Sequence, residues 1–190
     1  VNLEFHMRKI FSSLWVMGLA TLIAFPLLAW PIFYFQDISW SEVFYVSIPD
    51  LYSIPTFLSA GIIFGMLMIW MTELRYFEEA LAKYTSLLSQ FKISRFQVIF
   101  LSICAGFGEE VFFRGAVQPL FGIIITAIFF VAIHGYYSYR SFKVNVFAVC
   151  LTLFILLLGW SAEKYSLWHE VAGHFSYDLV LLAYYRKTGA

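Results

Sequence analysis

Long apolar runs separated by short polar stretches dominate the chain. A helix needs roughly 20 apolar residues to cross a bilayer core about 30 Å thick. Six runs approach that length, so the pattern predicts an all-α fold, a polytopic membrane helix bundle with about six transmembrane helices. The predicted spans are residues 14–34, 54–71, 96–120, 121–137, 144–160 and 165–185.

One polar interval, residues 73–95, has its own periodicity. Apolar residues such as Leu74, Phe77 and Leu81 recur there at helical spacing, opposite charged positions. A helix with one apolar and one charged face is typical of the membrane surface. The interval is therefore predicted to form an amphipathic helix on the cytoplasmic face.

The composition agrees with a lipid environment, since 62% of the residues are hydrophobic and only 13% are charged. Soluble domains carry about twice that share of charge. Twelve basic and twelve acidic residues leave a formal net charge of zero, which removes the electrostatic basis for binding nucleic acid. Residues 1–190 are expected to form a single integral membrane domain. Cys104 and Cys150 lie in apolar runs and are predicted to be free thiols.

The distribution of Lys and Arg predicts the orientation, because cytoplasmic flanks of membrane helices collect positive charge. With the N-terminus inside, ten basic residues fall in cytoplasmic segments and only Lys164 falls in an outer loop. Both termini are therefore predicted to be cytoplasmic. The first apolar run is expected to remain as a membrane helix, because it is too long for a cleavable signal peptide.

Ionisable residues occur inside three of the predicted spans. Each costs on the order of 3 kcal/mol near the middle of a membrane helix. Such residues form either a buried network that fixes helix packing or a water-filled site, and their number favours the site. The spans contain at least six of them, Glu109, Glu110, Arg114, His134, His174 and Asp178, and His169 and Glu170 lie near the outer end of the sixth span.

Spacing along the helices suggests which of these residues are paired. Glu110 and Arg114 are four apart and share a helix face, which predicts an ion pair. Glu109 is rotated by about 100° from Glu110 and is expected to face a cavity as an unpaired general base. Glu109 as a second partner of Arg114 is the alternative. His174 and Asp178 are also four apart and share a face.

The sequence HEVAGH, residues 169–174, differs from a zinc-protease helix by one residue. Zinc binding by HExxH needs two histidines four apart, whereas these are five apart. No metal is predicted, and His169 and Glu170 are expected at the outer membrane interface. A zinc site across three helices stays an alternative, because the spans contain several possible ligands: Glu109, His134, His174 and Asp178.

Three motifs occur in order on successive predicted helices. FGEEVFFRG at residues 107–115 contains EExxxR, FVAIH at 130–134 contains FxxxH, and HFSYD at 174–178 contains HxxxN/D. The chain therefore resembles the CPBP family, the CAAX prenyl protease and bacteriocin-processing group of intramembrane proteases, also called ABI or Rce1-like. The resemblance covers residues 96–185, the expected catalytic half.

The resemblance implies an intramembrane endopeptidase of the glutamic type that works without a metal cofactor. Glu109 and His134 would hold and deprotonate the attacking water. His174 and Asp178 would polarise the scissile carbonyl and stabilise its oxyanion. The last position is often asparagine in this family, and a carboxyl donates to an oxyanion only when protonated, so orientation of His174 is the alternative role for Asp178.

The same resemblance assigns Glu110 and Arg114 to structural support of the site. The expected partners are the lipid bilayer and a membrane-associated peptide or protein substrate, prenylated or not. Two alternatives are a catalytically inactive member acting as an immunity or scaffold protein and a zinc-dependent membrane peptidase. A proton-coupled transporter would be expected to show internal repeats, and none is found.

Overall fold

The structure, a computed structural model, describes residues 14–89 and 93–188, apart from the side chains of residues 87–89, 187 and 188. Every regular element in these ranges is helical and no strand occurs in them, which confirms the all-α prediction. The helices are α1 Leu14–Phe35, α2 Trp40–Val43, α3 Ile48–Glu73, α4 Arg75–Ser89, α5 Arg95–Glu110, the π-helical segment Val111–Val117, α6 Gln118–Ile133, α7 Phe142–Lys164 and α8 Trp168–Thr188.

Four stretches within the described ranges are long and apolar enough to cross a membrane. They are α1, α3, the continuous stretch Arg95–Ile133 and α7. The predicted count of six is therefore not confirmed. Helix α8 has 21 residues, but it is not among the four because His, Glu, Asp and Ser residues lower its hydropathy.

The chain reverses direction at Gly122, inside Arg95–Ile133. The ring centroids of Phe113 and Phe130 are only 4.9 Å apart, whereas 17 residues of straight helix would separate them by about 25 Å. Gly122 has φ 77° and ψ 168°, a conformation that is readily available only to glycine. The turn lies close to the predicted junction between the third and fourth spans.

The returning part of α6 is shorter than predicted. It runs from the turn to Ile133 and rises about 17 Å, which is less than the roughly 30 Å thickness of a bilayer core. The expectation that residues 121–137 form a separate membrane-crossing helix is therefore not confirmed. His134 caps the end of this short helix. The returning helix is shorter than α5 and the π-helical segment together.

Helices α3 and α8 pack closely together. A Cβ atom added at Gly61 would overlap the Gly173 carbonyl, and one added at Gly65 would press on Val180. Small residues four apart let membrane helices approach in this way. Further along the two helices, the hydroxyls of Thr72 on α3 and Tyr185 on α8 form a hydrogen bond of 2.8 Å.

Helix α4 confirms the helical part of the amphipathic prediction over Arg75–Ser89, while residues 90–92 lie outside the described ranges. Its apolar residues Phe77 and Leu81 are buried in the main core rather than presented to lipid. The hydroxyl of Tyr84 donates a hydrogen bond to the Gly135 carbonyl at 2.7 Å. The helix is thus attached to the loop that follows α6.

Candidate active site

Glu110 lies at the centre of a buried polar cluster. Its side chain is fully buried at the end of α5, and its Oε2 lies 3.0 Å from Arg114 Nε. The predicted ion pair is therefore present, with Arg114 in the π-helical segment. Oε1 of Glu110 accepts a hydrogen bond from His174 Nδ1 at 2.7 Å. This second bond was not predicted, because it joins residues 64 positions apart and leaves no spacing signal.

Glu109 points away from this cluster. Its side chain lines a cavity of about 210 Å³. Its Oε2 is 3.6 Å from His134 Nε2, and its side chain is 12% exposed. Within the described part of the chain Arg114 forms its ion pair with Glu110 and not with Glu109. The Glu109 carboxyl therefore faces the cavity beside an imidazole.

His134 is held by the residue one turn before it. Its Nδ1 donates to the Phe130 carbonyl at 2.7 Å, which leaves Nε2 on the side of Glu109. The Phe130 ring lies 4.5 Å from the His134 ring and 5.8 Å from the His174 ring. The Arg114 guanidinium also lies over this ring, with its Cζ 4.9 Å from the ring centroid. The FxxxH spacing therefore places one aromatic ring among three polar groups.

His174 has a carboxylate at each ring nitrogen. Nδ1 is bonded to Glu110, and Nε2 lies 3.5 Å from Oδ2 of Asp178. The second distance is too long for a strong hydrogen bond, so Nε2 has only a weak partner, and the side chains of His174 and Asp178 line the same cavity. Asp178 is one turn along α8 and also lines the cavity.

All four predicted catalytic residues, Glu109, His134, His174 and Asp178, line this one cavity. The opposite walls come from α7, α8 and the loop after α6, and they are largely apolar. Such a cavity accommodates an apolar segment next to a base and hydrogen-bond donors. Eight further residues, none of them predicted as a site residue, also line the cavity: Phe130, Tyr136, Leu151, Phe154, Ile155, Tyr177, Leu181 and Leu182.

A second cavity, of about 450 Å³, is lined by Arg114 and by Glu170, among other residues. Glu170 and His169 are both 0% exposed, so the expectation that they lie at the membrane interface is wrong. Glu170 Oε1 accepts a hydrogen bond from the Ser161 hydroxyl, while its Oε2 has no partner among the described residues. His169 Nε2 lies 2.7 Å from the Ser53 hydroxyl, which joins α8 to α3.

One of the residues that line this second cavity, Glu42, is an exposed helix cap. Glu42 closes a capping box with Ser39 at the start of α2. Hydrogen bonds from the Ser39 backbone N–H and hydroxyl lower the pKa of the Glu42 carboxyl. The motif residues Glu109 and His134 are absent from the lining of this cavity, so the two cavities are distinct.

The described residues contain no group of three or more His, Cys, Asp or Glu side chains arranged to hold a metal ion. Cys104 and Cys150 are free thiols, as predicted.

Comparison with known families supports the motif assignment. Residues 92–180 match the family model described as Type II CAAX prenyl endopeptidase Rce1-like. The resemblance to this family is confirmed over that part of the chain, which contains all three motifs. The family is one of membrane-embedded proteases, and the long apolar helices agree with a multi-pass membrane protein. No curated protein and no solved structure matches the chain.

Proposed function

We propose that this chain is a glutamate-dependent intramembrane endopeptidase that hydrolyses a peptide bond of a membrane-associated substrate. The observation that carries the proposal is the 3.6 Å approach of Glu109 to His134 in a cavity shared with His174. A carboxylate and an imidazole at this distance can both contact one water molecule. The match of residues 92–180 to a protease family supports the same reaction class.

Glu109 is the proposed general base. A carboxylate accepts a proton from water within hydrogen-bond reach, and the resulting hydroxide attacks the carbonyl carbon of the scissile bond. His134 positions that water, because its Nδ1 is held by the Phe130 carbonyl and its Nε2 is turned toward Glu109. The new C–O bond converts the carbonyl oxygen into an oxyanion.

His174 is the proposed donor to that oxyanion. Its two ring nitrogens both have carboxylate neighbours, so both can carry a proton, and its Nε2 lies beside Asp178, which lines the cavity with it. Preorganised donors of this kind typically contribute about 3 kcal/mol each. When the tetrahedral intermediate collapses, the C–N bond breaks and the proton held by Glu109 passes to the leaving amine. Glu110 and Arg114 support this arrangement without contacting the substrate.

The apolar walls of the cavity favour a substrate segment with apolar side chains beside the scissile bond. A helical substrate must unwind there, because its carbonyls are otherwise engaged in hydrogen bonds within the helix. We infer that residues 1–190 form one membrane domain, with the site in residues 96–185 and both termini in the cytoplasm. The name of the matched family makes a prenylated CaaX peptide the first substrate to test.

The test uses the purified full chain in liposomes and an internally quenched farnesylated CaaX peptide. We expect the wild-type protein to cleave it and Glu109→Gln to lose at least about 1,000-fold in kcat, because an amide cannot accept the proton. Glu163→Gln, at an exposed position, is the matched control and should cleave normally. Full activity of Glu109→Gln would exclude Glu109 as the base.

A second experiment looks for the natural substrate. Membranes from cells that produce the wild-type protein are compared with membranes that contain Glu109→Gln. A precursor that accumulates only with the inactive variant identifies the substrate. An identical set of membrane proteins in both samples would contradict the proposed function.

A further inference from the structure

The active-site cavity lacks one hydrogen-bond donor if only the motif residues are counted. Glu109 and Asp178 carry carboxyl groups that only accept hydrogen bonds when ionised. His134 uses Nδ1 on the Phe130 carbonyl and directs Nε2 toward Glu109. The Nε2 of His174 is then the one donor that the motifs direct at a developing oxyanion, whereas oxyanion holes usually contain two donors.

Tyr136 lines the same cavity, although it belongs to none of the motifs. It is the second residue after His134, and it lines the cavity together with His174 and Asp178. Its hydroxyl makes no hydrogen bond to any residue in the ranges that the structure describes. A neutral phenol always has an O–H to donate, so Tyr136 supplies the type of group that the motif residues lack.

The Tyr136 ring is held firmly, as an oxyanion donor requires. It stacks on the Tyr84 ring with centroids 5.2 Å apart, and it packs on Phe147 at 5.8 Å. Tyr84 also donates its hydroxyl to the carbonyl of Gly135. Gly135 has φ 75°, a turn that ends α6 and brings residues 134 and 136 to one cavity.

We propose that Tyr136 is a catalytic residue that donates a hydrogen bond from its hydroxyl to the oxyanion, beside His174 Nε2. The proton stays on the phenol throughout, so no bond to Tyr136 forms or breaks. This assignment rests on the proposed function. Tyr177 is the other phenol of the cavity, but its side chain is buried and its ring packs on Phe154, whereas Tyr136 is only half-buried.

The test measures kcat and KM of Tyr136→Phe on the farnesylated quenched peptide. Phenylalanine keeps the ring packing and removes only the hydroxyl, so the melting temperature should stay near that of the wild type. Loss of one oxyanion donor typically lowers kcat by about 100-fold to 1,000-fold, and we expect this loss with KM within about twofold of the wild-type value. Tyr139→Phe, whose ring is 90% exposed in the same loop, is the control with unchanged activity.

The same substitution is then measured with Asp178→Asn in place. An amide at position 178 supplies an N–H donor of its own. In this background Tyr136→Phe should therefore lower kcat by less than about tenfold. A Tyr136→Phe variant with wild-type kcat would overturn the proposal. The proposal would also be overturned if Tyr136→Phe lowered kcat equally in both backgrounds, or if Asp178→Asn alone were inactive. A loss of kcat in Tyr177→Phe equal to that in Tyr136→Phe would overturn it as well. An inactive wild-type protein would instead contradict the proposed function itself.

Discussion

The imidazole of His174 donates a hydrogen bond from Nδ1 to Oε1 of Glu110 at 2.7 Å. The same carboxylate pairs with Arg114 through its other oxygen. One buried glutamate therefore joins α5 and the π-helical segment to α8 and fixes the direction in which Nε2 of His174 points. The two adjacent glutamates have different surroundings, since Glu110 is enclosed by partners and Glu109 faces a cavity.

This difference predicts that only one of the two substitutions lowers the stability of the protein. Glu110→Gln leaves the buried Arg114 without a counterion, and breaking such a pair typically costs 3–5 kcal/mol. We expect a clear drop in the melting temperature of this variant in detergent, together with lost activity. Glu109→Gln should lose activity while its melting temperature stays close to that of the wild type. Equal melting temperatures for the two variants would contradict the structural role of Glu110.

Activity should persist after metal removal. The proposed mechanism assigns proton transfer and oxyanion stabilisation to side chains, so chelation should not change kcat. The measurement compares cleavage before and after dialysis against 1,10-phenanthroline and ethylenediaminetetraacetate, with zinc content determined by elemental analysis. Loss of activity that added zinc restores would favour the zinc-peptidase alternative.

The buried Glu170 should be sensitive to the loss of its hydroxyl partner. Ser161→Ala removes the only donor that Glu170 has within the described residues apart from its own backbone, and an unsatisfied buried polar group costs about 1–3 kcal/mol. We expect a lower melting temperature for Ser161→Ala. Ser59→Ala, at an exposed position where the hydroxyl donates to the Pro55 carbonyl of its own helix, is the control. Identical melting temperatures would show that Glu170 finds another partner.

The orientation can be tested by cysteine labelling. In a variant without Cys104 and Cys150, Asp37→Cys places a thiol at an exposed position between α1 and α2. We expect a membrane-impermeant maleimide to label it from outside intact cells. Lys83→Cys on α4 should be labelled only after the membrane is permeabilised. The reverse pattern would invert the predicted topology.

Much of the site could be predicted from the sequence because its local pairs lie within single helices. The period of 3.6 residues places Glu110 beside Arg114 and His174 beside Asp178, and it separates Glu109 from Glu110. The composition likewise determined that the chain is helical and embedded in lipid, since only helices satisfy the backbone of such apolar segments in a bilayer.

Contacts between helices were decided by the tertiary structure. The turn at Gly122 shortens the fourth predicted span. Helix packing produces three further features: the hydrogen bond between Glu110 and His174, the burial of Glu170 and the position of Tyr136. These contacts join residues far apart in sequence, and no helical period relates such residues. Which side chains meet there depends on close packing at positions such as Gly61 and on the path of the loops, neither of which is a property of any single helix.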